Sequence, residues 1–374
     1  MPAKDPSRLQ HQLLDWYQKD HRDLPWRRTK DPYKIWVSEI MLQQTQVATV
    51  IPYYKKWLSR FPTLESLARA PQAEVMKHWA GLGYYRRVRM LHEAAKTLCK
   101  INEGKIPETA EGLLKLPGVG RYTAGAIASI AFGEKAPVLD GNVIRILTRI
   151  YAIPSDIGSS KTIANLWKVS ESLLPEKNPG DFNQAMMELG ATVCFAESPR
   201  CALCPVNRLC RAHAQKRETH FPVRAKKELT QRIRTAALIL RSNGSVLIQK
   251  QPANGRWGGL WMFPFGKNPK SVAKEIGVDP SGLKRRMTVH HGFTKYRVRL
   301  DVYEYLRSHC EEAEGRRSNP EITGSILYLR DCFARLGRAR NDGIVCKWVS
   351  LNKLPKLAFP SPHQKIAREL LDHG

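Results

Sequence analysis

The 374-residue sequence contains no run of eighteen consecutive apolar residues, so no membrane-spanning helix is expected. It also lacks a basic amphipathic helix free of core duties, which argues against a membrane surface as its partner. The N-terminal stretch MPAKDPSRLQHQLLDWY has no apolar signal segment and moves almost directly into a helical pattern, so the expectation is a cytosolic protein. Acidic residues are scarce, with 34 Asp and Glu against 61 Lys and Arg, for a net charge of +27. Such an imbalance predicts a polyanionic partner, most commonly nucleic acid. Repeats and low-complexity tracts are absent. Cysteine is sparse, and four of the eight crowd into residues 194–210. In a reducing compartment that clustering points to a metal rather than to disulfides. The length is sufficient for two domains with cores of their own.

What the sequence does hold is concentrated in residues 116–150, LPGVGRYTAGAIASIAFGEKAPVLDGNVIRILTRI. Leu116-Pro117-Gly118-Val119-Gly120 reads as a sharp turn that tolerates nothing larger than glycine at two positions. A small-residue helix follows, Tyr122 to Phe132. Asp140-Gly141-Asn142 then opens another, with Val143, Ile144, Leu147 and Ile150 on its apolar side. A glycine turn ahead of a helix leaves backbone N–H groups pointing outward at the positive end of the dipole, a site for a DNA phosphate. On the turn alone an ordinary helix connection is the simpler reading; the charge of the whole chain favours the anion.

Upstream, residues 8–19 form an amphipathic pattern with Leu9, Leu13, Trp16 and Tyr17 on one face. Asp31 before Pro32 predicts a helix start, with Val37, Ile40 and Met41 buried and Glu39 beside them. A glutamate there is either solvent-facing or a carboxyl with a raised pKa. Gln43 and Gln44 interrupt the apolar pattern, and Thr45 reads as the N-cap of the next helix. Two or three more helices are expected over residues 63–115, with a glycine turn at Gly81-Leu82-Gly83.

Further on, Cys194, Cys201, Cys204 and Cys210 are separated by six, two and five residues. Four thiolates in one short loop make an all-sulfur site for which zinc and iron–sulfur are both candidates. Zinc ribbons usually offer two Cys-x2-Cys knuckles, and only one is present. Residues 216–231 read as a basic linker. Beyond it, RTAALILRSNGSVLIQKQ gives two apolar runs around Asn243-Gly244, a hairpin signal. Strand-like runs at 296–305, 326–329 and 345–349 and a helix near 364–371 complete an α+β domain.

Several of these stretches resemble one family. LPGVGRYTAGAIA is similar to the helix-hairpin-helix of the endonuclease III superfamily of DNA glycosylases, VLDGNVIRI to its aspartate loop, and SEIMLQQTQV to its glutamate segment. The cysteine spacing matches that superfamily's 4Fe–4S loop. Tyr122 stands where the lyase members carry a lysine, which points to the adenine-removing, MutY-like branch. GRWGGLWMFPFG resembles the Nudix-like recognition domain of that branch. Residues 267–288, however, lack the Arg-Glu-x2-Glu-Glu metal cluster of a true Nudix hydrolase, so a reader of bases is expected.

The resemblance implies a multidomain chain: an all-α helix-hairpin-helix glycosylase core with an iron–sulfur loop over residues 1–215, then an α+β Nudix-like domain over 232–374. The core divides into a six-helix module, about 26–133, and an iron–sulfur module from 1–25 and 134–215. The implied activity is monofunctional removal of adenine, flipped out of a duplex opposite 8-oxoguanine or guanine. That chemistry needs a protonated carboxyl to deliver a proton to the base and an ionised one beneath the oxocarbenium ion. Glu39 suits the acid. Asp140, at a helix N-terminus with Asn142, suits the anion. Tyr122 cannot form a Schiff base.

By the same resemblance, Arg22, Trp26, Arg27 and Glu188 line the adenine pocket, and Gln44, with Thr45 beside it, enters the base stack. Leu82 and Tyr84 probe the opposite strand, the Gly118-Val119-Gly120 turn binds phosphate, and Phe293-Thr294-Lys295 reads the oxidised base. The family has histidine where Lys295 stands. One 4Fe–4S cluster on the four cysteines, mispaired double-stranded DNA, a monomer and a bacterial cytoplasmic, nucleoid-associated location are expected. A lyase acting on oxidised pyrimidines and a non-catalytic DNA-binding scaffold are the competing readings; Tyr122 opposes the first, intact Glu39 and Asp140 the second.

Overall fold

The structure, a computed structural model, describes residues 6–225, 231–252, 257–293, 296–305 and 345–372. Its contacts divide the chain into two compact units, Met1–His78 with Arg86–Lys227, and Trp79–Tyr85 with Glu228–Gly374. No helix among the described residues is long and apolar enough to cross a membrane.

The first unit is helical. Leu9, Leu13 and Tyr17 recur every fourth residue and bury one face of α1 (Pro6–Asp20). α2 (Pro32–Leu42) is buried nearly throughout, because eight of its eleven residues face neighbours. α3 (Val47–Arg60) follows. Four helices, rather than two or three, occupy the next stretch: α4 (Leu64–Arg69), α5 (Gln72–Trp79), α6 (Arg86–Ile101) and α7 (Ala110–Leu114). The extra break comes from Thr63 and Thr109, each capping a short helix through its side chain. α8 (Arg121–Phe132) is buried from Thr123 to Ile130, since its alanines and glycine let neighbours close in on several sides. α11 (Pro179–Thr192) packs on it so closely that a Cβ on Gly180 would lie 2.3 Å from the Ser129 carbonyl oxygen. α9 (Gly141–Tyr151) and α10 (Ser160–Ser172) lie between them in sequence, and the short α12 (Arg211–Ala214) comes after α11.

Two expectations change here. Helix α3 starts after Gln46, not Thr45, and neither side chain caps it. Arg87 approaches the Thr45 hydroxyl instead. The linker expected from residue 216 also begins inside the first unit. Phe221 is buried, its carbonyl accepts from Arg149, and the Val223 carbonyl accepts from Ile157.

Among the described residues, the second unit has two four-stranded sheets. One runs β5 (Phe265–Gly266), β1 (Gln231–Ile239), β7 (Tyr296–Tyr305), β6 (Leu283–Phe293), with β1 and β7 parallel. The other runs β2 (Arg241–Ser242), β3 (Ser245–Lys250), β4 (Trp261–Met262), with β8 (Val345–Ser350) also on β3. The Asn243-Gly244 turn does join an antiparallel pair, both residues adopting positive φ. The pair is short, however, because the first apolar run divides at Leu240, and its larger part joins the other sheet. β1 is buried on both sides where α13 (Pro269–Ile276) covers one face and α14 (Ser361–Asp372) contributes to the core on the other. The run at 326–329 lies outside the described residues.

Candidate active site

Asp31 starts α2 by accepting from the Tyr33 and Lys34 amides. Arg87 ends it, donating to the carbonyls of Ile40, Met41 and Gln43, a cation at the negative end of the helix. So held, Glu39 points inward and is 5% exposed. Burial pushes its carboxyl up to about 7, against the opposing pull of a hydrogen bond from Tyr122. That hydroxyl donates over 2.7 Å to Glu39 Oε2 and lies 3.2 Å from Met187 Sδ.

Asp140 caps α9, its carboxylate accepting from the Val143 amide (2.7 Å) and from Asn142 Nδ2 (3.1 Å). The helix end was expected to favour the ionised form of this group. Burial raises the pKa instead, and the bonds from Val143 and Asn142 offset only part of that rise. The two carboxyls therefore differ in their donors: Asp140 receives amide N–H groups that favour the anion, whereas Glu39 receives one tyrosine hydroxyl. Asn142 Oδ1 accepts from Arg145, whose Nε donates to the Cys194 carbonyl.

Glu188 on α11 is buried, with Arg22 and Arg27 each 2.7 Å from its Oε2. Burial alone would raise this carboxyl; hydrogen bonds from the two arginines outweigh that and hold it at about 2. Trp26, buried, meets Tyr54 edge-on at 5.5 Å. Glu39, Asp140, Glu188, Arg22, Arg27 and Trp26, with Gln44 and Thr45, line one cavity of about 550 Å³. That is within the ordinary range for a small-molecule site and ample for a nucleobase.

In the turn before α8, Gly118 has φ +76°, and a Cβ there would lie 2.4 Å from Met90 Cβ. Gly120 differs from expectation: its φ is −93° and an added Cβ would meet nothing within 4 Å. The fold itself does not require glycine there. Val119 is also turned inward, 7% exposed, and its N–H donates to the Leu116 carbonyl rather than outward. Gly120 caps α8 with no side-chain hydrogen bond, leaving that helix N-terminus open to an approaching group.

Cys194, Cys201, Cys204 and Cys210 line a second, small cavity, together with His213 and Glu218. None of the four is in a disulfide. Arg149, fully buried, donates to Cys194 Sγ over 3.2 Å. The surroundings are less purely sulfur than the spacing suggested, since Cys201, His213 and Glu218 also converge, within 4.8 Å of one another.

The chain matches known proteins along most of its length. Residues 37–172 match the HhH-GPD superfamily of base excision DNA repair proteins, and residues 235–369 match the NUDIX domain. An adenine DNA glycosylase of Buchnera aphidicola (Schizaphis graminum) is 35% identical over 95% of this chain and 96% of its own length. The chain belongs to the adenine DNA glycosylase family. The rat adenine DNA glycosylase is 41% identical over 74% of this chain, which spans 62% of that relative's length. A thermostable thymine-DNA glycosylase structure superposes with a TM-score of 0.51 and 31% identity, covering 57% of this chain and 98% of its own.

Glycosylase-family residues expected near one another are thus gathered: Arg22, Trp26, Arg27, Glu39, Gln44, Thr45, Tyr122, Asp140, Asn142 and Glu188 share a cavity. Gln44 is exposed with φ +57°. Leu82 and Tyr84 belong to the segment that groups with the second unit. Leu82 is buried, contrary to a role at the surface, while Tyr84 is 45% exposed with φ +47°. Phe293 ends β6; Thr294 and Lys295 lie outside the described residues. Sequence reasoning missed Gln184, Met187 and Ala191, which line the same cavity beside Glu188. Their helical spacing of three or four residues was the available signal.

Proposed function

We propose that this chain is a monofunctional DNA glycosylase that hydrolyses the N-glycosidic bond of adenine mispaired with 8-oxoguanine or guanine. The observation that carries the reading is Glu39, a buried carboxyl raised to about 7 and bonded to Tyr122 where a lyase would need lysine. Its neighbour Asp140 accepts helix amides in the same cavity. The 35% identity to a Buchnera adenine DNA glycosylase across nearly the whole chain supports it.

Glu39, protonated near neutrality, gives its proton to a ring nitrogen of the flipped adenine, and the bond from C1′ to the base breaks. The Asp140 carboxylate stabilises the resulting oxocarbenium ion. Water adds at C1′, and its proton returns to the Glu39 carboxylate. Glu188, clamped by Arg22 and Arg27, and Trp26 form the wall that orients the base. Gln44 fills the vacated stack, and Gly120 allows a phosphate to approach the start of α8. The second unit reads the base opposite through Phe293-Thr294-Lys295; Lys295, which only donates, favours acceptor atoms there.

A 4Fe–4S cluster fits Cys194, Cys201, Cys204 and Cys210. The fit lies in the donor set, because the four sulfur-bearing side chains line one small cavity and sulfur is the ligand that iron–sulfur clusters take. When bound, the cluster would cross-link this loop and present its basic surface. The hydrolysis is tested on duplex containing adenine opposite 8-oxoguanine: strand breaks should form only after alkali. Breaks without alkali would indicate a lyase, and none at all would sink the glycosylase reading.

A further inference from the structure

In the second unit, β1 and β7 run parallel and in register from Gln231 beside Tyr296 to Ile239 beside Glu304. Side chains alternate between faces, so Arg232, Arg234 and Leu238 share a face with Arg297, Arg299, Asp301 and Tyr303. Half of that face is covered, because Leu238, Leu240, Tyr303 and Tyr305 pack with Val272, Ala273 and Ile276 of α13. Among the described residues, no element covers the other half. Arg232, Arg234 and Arg297 are exposed and Arg299 is half-buried.

Arg232 stands beside Arg297, and Arg234 beside Arg299, with His290 of β6 next in the row. Strands lie ~4.8 Å apart and alternate residues along a strand ~6.6 Å apart, so four guanidinium stems rise from one small patch. Like charges directly opposite each other weaken a sheet. Among the described residues one carboxylate, Asp301, serves the patch, and it already accepts from Thr288 and Arg299, with Arg285 close by. Among the described residues, Arg232, Arg234 and Arg297 have no carboxylate partner. Gly292 keeps the patch flat: a Cβ there would lie 2.7 Å from Arg297 Nη1, so the guanidinium rests across the β6 backbone.

We propose that this uncovered half-face is a phosphate-binding surface for the backbone of duplex DNA, a reading that rests on the DNA glycosylase function above. The free energy lost by crowding arginines is recovered only against a polyanion. Among the described residues, the outward side chains on this half are Arg232, Arg234, Thr288, His290, Arg297, Arg299 and Asp301, all of them polar. A folded protein partner would need an apolar centre, which this patch lacks. Contacts of this kind position the domain and carry no sequence information.

The test is the salt dependence of binding by the full chain to undamaged duplex. Each phosphate contact contributes about 0.9 to the slope of log affinity against log salt. Replacing Arg232, Arg234 and Arg297 together by Gln should lower the slope by roughly 2.7, so that between 50 and 200 mM salt the variant loses about 40-fold less affinity than the parent. The matching triple Lys variant should keep the parent slope. An unchanged slope in the Gln variant overturns the proposal. So does an equal loss in the Lys variant, which would mean altered folding rather than lost charge. Loss of polyglutamate binding with an intact DNA slope would assign the face to an acidic protein and overturn it too. Failure of the glycosylase reading shows separately, as absent excision by the parent protein.

Discussion

The cavity of the first unit and the uncovered sheet face of the second use arginine in opposite ways. In the cavity, Arg22 and Arg27 converge on the buried Glu188, so each charge is fixed in place by its partner. On the sheet, Arg232, Arg234 and Arg297 face solvent beside one another with no such partner among the described residues. Burial makes a charge specific and costly to disturb, because an unpaired ion in low dielectric has no substitute for water. Exposure makes it cheap and interchangeable, since solvent screens each one. Buried charge therefore suits a pocket selective for one ligand, whereas exposed charge suits a surface that accepts any polyanion backbone.

The comparison breaks most visibly at Glu39. Glu39→Gln should bind mispaired duplex yet lose adenine excision by at least 10²-fold in single-turnover assays, about the worth of a general acid. A rate near that of the parent would remove the acid role and with it the argument that burial makes this cavity reactive. Next in size is Glu188→Gln, which leaves two arginines facing a neutral amide. It should lower unfolding stability by about 3 kcal/mol in a denaturant titration. Because the folded carboxyl is held at about 2, below its usual 4.5, that contribution is present above 4.5 and lost as pH falls towards 2.

Acid–base behaviour sharpens the same contrast. In the proposed acid role Glu39 works only when protonated, and its carboxyl is raised to about 7, so excision should be maximal below that pH and fall about tenfold per pH unit well above it. Binding through the arginines of the sheet should remain flat from pH 6 to 9, because guanidinium keeps its proton throughout. A parallel decline in both would show that Glu39 is not the titrating group. The two glycines of the α8 turn give the smallest effects and a useful internal control. Gly118→Ala should destabilise by roughly 2 kcal/mol, for positive φ and the clash with Met90. Gly120→Ala should leave thermal stability within ~0.5 kcal/mol while weakening duplex binding. Equal thermal losses would contradict the open approach at Gly120.

Much of the first unit was legible in the sequence because its signals are local. Asp31-Pro32 does start α2, the 3.6-residue rhythm of Leu9, Leu13 and Tyr17 does mark a buried face, and Asp140 does cap α9. The pairing of Arg22 and Arg27 with Glu188 spans more than 160 residues and left no local trace; in sequence each reads as a surface charge. Thr45 failed as a cap because Gln46 takes that position, while a contact from Arg87 draws on the Thr45 hydroxyl. Gly118 and Gly120 look alike in sequence, and only the nearness of Met90 separates them. The hairpin at Asn243-Gly244 was a correct local signal, yet which sheet the flanking run joined depended on β7, some sixty residues further on. Local chemistry fixed where elements start and turn, because caps and turns are satisfied within a few residues. Burial, partner and pKa were decided only by folding, because desolvation and ion pairing depend on what the rest of the chain brings to the same point.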